Sequence, residues 1–506
     1  MGIDFGTTRI VVASADRGNF PLAHFEAPDG QVFDWLPPVA AIRGDERLYG
    51  WEAMAKQEDS SWTLIRSIKR HLRGAGPHSE LQVDDQRLPL RLLFTEMMAA
   101  LREQLMEHSN LDIDSTERLE AVLGVPANAD SNQRFLTEEA ARMGGFSVLG
   151  LMNEPSAAAI EFAYRNGAER KSRAGSGLLV YDLGGGTFDV SWVTLGESEH
   201  IIDSSDGIPT LGGDDFDEIL AALALETAGL QSAITPAEMQ RLFVECREKK
   251  ESLNPNTRRL TIDLERVRPG WEQITIPVDA YYERCRPLIE ATRNVVENLI
   301  AAQPEKSLDT LYVTGGGSEL PPVARILRET FGRKVRRSAY MRSASAVGLA
   351  IRSDLPIDRV QDQFNQNFGI WREADDGNKI LFDLIFQRGT KLPAPGDPPL
   401  RHERIYRPAH NIGHFRYLEC SRLDGDRQPT GEISNWDQVL FPFDPRLRDQ
   451  SDLSSQQIGR LSEGYDVSVR EEYTCDANGS IRVKISAEPA NYTNEFAIGQ
   501  LAKHGS

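Results

Sequence analysis

Apolar and polar positions alternate along this chain in a way that predicts its elements. Leu119 to Val125 is apolar and β-prone. Asp130 then offers a helix N-cap, with Gln133 three residues on as a capping-box partner. Phe135, Leu136, Ala140 and Met143 follow at helical spacing, and Gly144-Gly145 supply a stop. A short strand is predicted over Val148 to Met152. Asn153-Glu154-Pro155 opens a second helix, which Gly167 is expected to close. Strand alternating with helix implies an α/β architecture. Leu178 to Leu183 reads as an apolar strand interrupted by Asp182. Phe188, Val190 and Trp192 alternate with Asp189, Ser191 and Val193, as in a half-buried strand. Leu311 to Thr314 is a further strand that runs into three glycines, and Pro321-Pro322 begin a helix reaching Gly332.

Beyond about residue 352 the helical period fades. Ile380 to Phe386 is a short strand-like run. Val467 to Val469 and Ile481 to Ile485 flank Asp476-Ala477-Asn478-Gly479, and Asn-Gly between alternating runs is a strong hairpin signal. The expected organisation is an α/β domain over 1–352, a linker over 353–366 carrying Leu355-Pro356-Ile357, an all-β domain over 367–490 and a tail over 491–506. At 506 residues, 40% hydrophobic and 26% charged, the chain can bury substantial cores. Its net charge of −19 argues against nucleic acid or an anionic membrane as partner. The four cysteines are scattered without Cys-x-x-Cys pairing, which excludes a disulfide scaffold and a zinc ribbon and fits a reducing, cytoplasmic setting. No apolar run is long enough to span a membrane. The amino terminus has no basic-then-apolar leader, and Gly6 stands where a myristoylation signal needs Ser or Thr. A strand beginning at Gly2 leads us to expect the true start codon upstream.

The candidate chemistry lies in an internal echo. Asp4-Phe5-Gly6-Thr7-Thr8 is repeated as Asp182-Leu183-Gly184-Gly185-Gly186-Thr187, which implies two related halves facing each other across a cleft. At the end of a strand, such a turn lets backbone N–H groups and hydroxyls approach phosphate oxygens, while the aspartate can hold a hydrated Mg²⁺. A lone turn of this kind carries little weight. Two of them, with Gly315-Gly316-Gly317 after a third strand, point to a bound triphosphate. No Gly-x-x-x-x-Gly-Lys-Ser/Thr occurs, so this is not a P-loop. No Gly-x-Gly-x-x-Gly follows a strand, which argues against a nicotinamide site.

With these motifs the chain resembles the seventy-kilodalton heat-shock (DnaK-like) chaperone family, whose ATPase domain has the actin-like (ribonuclease H-like, duplicated) fold. The matching segments are 2–8, 122–134, 153–164, 180–191, 211–217 and 313–321, in family order. The resemblance implies ATP and Mg²⁺ as cofactors and slow phosphoryl transfer to water. Asp4 and Asp182 match the aspartates that hold Mg²⁺ through water. Gly6, Thr7, Thr8, Gly184, Gly185, Gly186, Gly212, Gly213, Gly315, Gly316 and Gly317 fall in the ATP-binding turns. Lys69 matches the lysine that reaches the γ-phosphate, Thr187 joins the catalytic group, and Glu154 and Asp189 match the carboxylates near the attacking water. From the residues alone, other readings stay open: Lys69 as a solvated lysine, Glu154 as a helix cap, Asp189 as a surface residue.

The resemblance also exposes departures. In the family's adenosine-binding helix, a glutamate, a lysine with an arginine, and a serine contact the nucleoside. Here the corresponding residues are Arg247, Lys250, Glu251 and Asn254, so only the lysine is kept. Glu319 stands where another family arginine packs on the adenine. Losing two guanidinium planes implies weaker or less base-selective binding. Alternatively, Arg247, Lys250 and Glu251 form a plain charged helix face with i,i+4 pairs. Residues 385–393 and 473–487 resemble parts of the family's peptide-clamping β-sandwich, here expected without its helical lid. The implied protein is an ATP-dependent chaperone for client polypeptides, with a J-domain co-chaperone and a nucleotide-exchange factor as possible partners. A non-hydrolysing exchange factor or scaffold, and a small-metabolite kinase on the same fold, are the alternatives.

Overall fold

In a computed structural model, residues 1–497 are described except 58, 60, 77, 115, 128, 171–175, 196–198, 231–233, 355–358, 362, 365, 375–377, 395, 451, 462–466 and 490–491. Leu355-Pro356-Ile357 of the expected linker, and the end of the tail, lie outside the described residues. The chain divides into two compact units: residues 1–70, 99–128 and 152–358 form one, and residues 71–98, 129–151 and 359–506 the other.

The first unit is α/β. The strand Gly2–Phe5 pairs parallel with Glu120–Val125 and antiparallel with Ile10–Ala13. A larger sheet runs in the order Val335–Arg337, Leu308–Thr314, Ser176–Leu183, Phe188–Leu195, Glu199–Ile208. Its central strands are sealed on both faces. Phe188, Val190 and Trp192 are buried as expected, but Ser191 and Val193 on the opposite face are buried as well. The half-buried reading of this strand is therefore corrected: helices cover both sides, and the Ser191 and Ser205 hydroxyls satisfy each other at 2.8 Å. The helix Glu154–Arg170 also continues past Gly167. It packs on Ala344–Asp354, where small side chains let the two backbones approach. The helix Pro321–Phe331 starts at its prolines and stops at Gly332, as its punctuation predicts.

The second unit is rich in sheet. One antiparallel sheet runs Lys379–Phe386, Asn367–Ala374, Ile412–Leu423, Pro429–Pro442, and another Leu400–Tyr406, Ser468–Cys475, Ile481–Glu488, Tyr492–Ala497. Their apolar faces share one core that includes Phe368, Tyr417, Phe441, Tyr473, Val483 and Ile485, which makes a sandwich. Tyr417 and Tyr473 meet edge-on across it at 6.2 Å. Arg372 makes a bidentate pair with buried Glu471 from the opposite sheet, at 3.0 and 2.6 Å. The predicted hairpin forms, with Cys475 opposite Ile481 and Gly479 at φ +79°. The helix Ser131–Met143 belongs to this unit. Asp130 caps it, accepting from Gln133 N at 2.8 Å, whereas Met143, expected on its apolar stripe, is 70% exposed.

Candidate functional site

The two halves of the sequence echo adopt the same local structure. In one, Gly6 N donates to Arg9 O at 2.9 Å and closes a hairpin in which Phe5 faces Ile10. In the other, Gly184 N donates to Thr187 O at 2.9 Å, and Leu183 faces Phe188. The turns face each other so closely that a side chain on the second would have to displace a threonine of the first. A Cβ at Gly185 would sit 2.4 Å from Thr8 Cγ2, and one at Gly186 would sit 2.7 Å from Thr7 Cγ2. The third glycine turn follows the parallel strand in which Thr314 pairs with Asp182. Gly315 has φ +86°, and a Cβ there would lie 2.3 Å from Asp182 Oδ1. The helix Gly213–Ala228 starts against the second turn, with Gly213 N on Gly184 O at 2.9 Å and Asp214 N on Gly185 O at 2.8 Å.

These elements line one cleft in the first unit, shared by Asp4, Gly6, Thr7, Thr8, Lys69, Glu154, Asp182, Gly184, Gly185, Thr187, Gly213, Lys250, Glu251 and Gly315 to Gly317. Lys69 is not a solvated lysine: its ammonium lies 2.5 Å from Glu154 Oε1, with both side chains largely shielded. Glu154 heads the helix Glu154–Arg170, as the capping alternative holds, and also meets Lys69. Asp189 is buried rather than surface-facing, and the Thr187 hydroxyl donates to it. Gly186 and Gly212 stand behind the turn, where a Cβ at Gly212 would be 2.5 Å from Gly186 N. Asn254 lies beyond the end of the helix Pro236–Glu251, and its Oδ1 accepts from Asn256 N at 3.0 Å.

The electrostatics are those of crowded carboxylates. Burial first, then Glu154, raises the Asp4 carboxyl to about 7, with Lys69 pulling the other way. Burial and Glu154 likewise raise Asp189 to about 7. Asp182 is pushed well up by burial together with Glu154, Asp4 and Asp189. Burial would depress the Lys69 ammonium, but Glu154 and Asp4 outweigh it, so its pKa rises and it stays charged. Four carboxyl groups thus face a single lysine, an excess of negative charge that a hydrated divalent cation would offset. Among the described residues no three His, Cys, Asp or Glu side chains converge as a direct metal cage.

The far end of the cleft is a charge network whose wiring the sequence did not reveal. Arg247 pairs with Asp214 at 2.7 Å and Asp217 at 3.0 Å; Lys250 pairs with Asp217 at 2.6 Å and donates to Gly213 O at 2.7 Å. Glu251 pairs with Arg9 at 2.5 Å and Arg342 at 3.0 Å. These bonds tie separate elements together, so the plain-helix-face alternative is corrected. Sequence reasoning also missed Ser67, whose hydroxyl donates to Asp214 at 3.0 Å, and Arg70, which reaches Gly186 O at 3.3 Å. Only their proximity to Lys69 could have flagged them.

Fold and cleft define an actin-like α/β ATPase-type domain joined to a β-sandwich region. The chain belongs to the Hsp70 family: a family model described as Hsp70 protein matches residues 1–363. The family is one of ATP-binding, Mg²⁺-dependent ATPases. The chain is 31% identical over 382 residues to a "Chaperone protein HscA homolog" of Laribacter hongkongensis, covering 70% of this chain and 58% of that protein. It is 30% identical over 384 residues to the protein of the same name from Chromobacterium violaceum, covering 72% and 59%. Against "Chaperone protein HscA" of Cronobacter sakazakii it is 29% identical over 382 residues, covering 71% and 59%. The match thus spans less than two thirds of these curated relatives. Among the described residues no helix is long and apolar enough to cross a membrane.

Proposed function

We propose that this chain is an ATP-dependent chaperone, in which Mg-ATP binding and slow hydrolysis in the cleft are coupled to the binding of client polypeptides by the sandwich region. The observation that carries this reading is the convergence of the two mirrored turns with Asp4, Asp182, Lys69 and Glu154 in one cleft. Asp4 and Asp182 would hold the metal through water, and the metal would neutralise charge on the phosphates when bound. The two glycine turns would hold the phosphates through backbone N–H groups other than those of Gly6 and Gly184, which close the turns themselves, with the Thr7 and Thr8 hydroxyls beside them. Lys69, kept charged by Glu154, draws the terminal phosphoryl group into position. Glu154 and the Thr187–Asp189 pair orient the attacking water. Catalysis by positioning and charge needs little more. A cytoplasmic setting, a J-domain co-chaperone and a nucleotide-exchange factor belong to the same proposal.

The test is single-turnover ATP hydrolysis with Mg²⁺. Lys69→Ala and Asp182→Ala should each lower the rate at least about a hundredfold, as loss of a preorganised charge contact does. No turnover by the parent protein, or variants as fast as it, would overturn the enzymatic reading.

A further inference from the structure

The base end of the cleft holds two arginines, and their surroundings leave them different things to offer. Arg9 pairs with Glu251 and lies with its guanidinium carbon 4.7 Å from the centre of the Trp35 ring, so one of its faces is already covered. Arg342 lines the cleft beside the third glycine turn, where a Cβ at Gly316 would touch only its stem and Nε, at 3.8 and 4.0 Å. Its Nε and Nη2 reach one oxygen of Glu319 at 2.6 and 2.5 Å, and its Nη1 reaches Glu251 at 3.0 Å. Every guanidinium nitrogen is thereby engaged by carboxylates from two other elements. A guanidinium bound along its edges is held in a fixed plane and keeps its charge. What it can still present to a ligand is a flat cationic face, which attracts a π-system.

The geometry points to Arg342 as the residue that stacks on the base of a nucleoside phosphate, held in plane by Glu251 and Glu319. This assignment rests on the reading of the cleft as a nucleotide site. The two glutamates that stand in place of the family's arginines would then not remove the stacking cation; they would orient one supplied by the segment before the helix Ala344–Asp354. Stacking reads ring area and not hydrogen-bonding pattern. The contact should therefore favour purines while distinguishing adenine from guanine little.

Calorimetric titration of the full chain with ADP, GDP and pyrophosphate, all with Mg²⁺, tests this. Arg342→Ala should weaken ADP and GDP alike by about tenfold, the size of a partly shielded cation–π contact, and leave pyrophosphate unchanged. Arg342→Lys keeps the charge without the plane and should lose a similar factor. Glu319→Gln, which loosens the plane, should cost a smaller one, again for nucleosides only. Equal losses for pyrophosphate and the nucleotides, no loss at all, or a loss confined to one purine would overturn the assignment while the nucleotide site stands. A parent protein that binds neither nucleotide nor pyrophosphate would overturn the nucleotide site itself, and the assignment with it.

Discussion

Glu419 is 2% exposed within the sheet-rich unit. Ser131 donates to it from both its backbone N, at 3.0 Å, and its hydroxyl, at 2.5 Å. Asp130 lies in the same cluster and accepts from the Ser434 hydroxyl at 3.0 Å. Burial first, then the negative charge of Asp130, raises the Glu419 carboxyl to about 8, against the pull of Ser131 and Arg134. The folded state therefore binds a proton that the unfolded chain releases above its ordinary carboxyl range. Its stability contribution falls as pH climbs from about 4.5 through about 8, then levels off. Asp4 and Asp189 tilt the same way, so the informative quantity is a difference. Glu419→Gln keeps an acceptor for Ser131 and cannot ionise. Its urea stability relative to the parent should improve by about 1.4 kcal/mol per pH unit within that window. A difference that stays flat from pH 5 to 8 would mean Glu419 titrates normally.

Between elements, the least room left at any glycine of the described residues is in the helix Ala344–Asp354. A Cβ on Gly348 would stand 1.8 Å from the carbonyl oxygen of Ala157 in the helix Glu154–Arg170. Gly348→Ala would gain up to about 1 kcal/mol of helix propensity, yet it must push two backbones apart, an overpacking strain of about 1–3 kcal/mol or more. We expect a net loss of about 2 kcal/mol in chemical denaturation. The shift should also reach Glu154, at the head of the same helix, and slow hydrolysis; unchanged stability would refute the packing. This contact also marks where sequence reading ends. Local punctuation was legible: Asp130 as a cap, Pro321 and Gly332 as helix limits, Asn478-Gly479 as a hairpin, and the meeting of the paired aspartate-glycine turns in one cleft. What depended on neighbours was not. Gly167 could not stop a helix. Ser191 looked solvent-facing until a partner hydroxyl closed over it. Arg342 belongs to no motif, because its role depends on two glutamates distant in sequence.

At the scale of the whole molecule, the cleft lies in one unit and the sandwich in the other, while the chain passes between the units repeatedly: residues 71–98 and 129–151 belong to the sheet-rich unit though first-unit segments flank them. A chaperone of the proposed kind requires a coupling free energy between nucleotide in the cleft and peptide on the sandwich, and coupling of binding is reciprocal. An unfolded peptide with a fluorescent label should bind the ADP-loaded and ATP-loaded chain with different affinities, by about tenfold, within the usual range of such couplings. Saturating peptide must then change the ratio of ADP to ATP affinity by the same factor, because the two routes around the cycle share their end states. Lys69→Ala, by blocking turnover, allows the ATP arm to be measured at equilibrium. Identical peptide affinity in both states would leave cleft and sandwich as independent binding modules. A nucleotide effect on peptide with no matching peptide effect on nucleotide cannot arise from a single coupled equilibrium, and would point to a second species, such as an oligomer, in the sample.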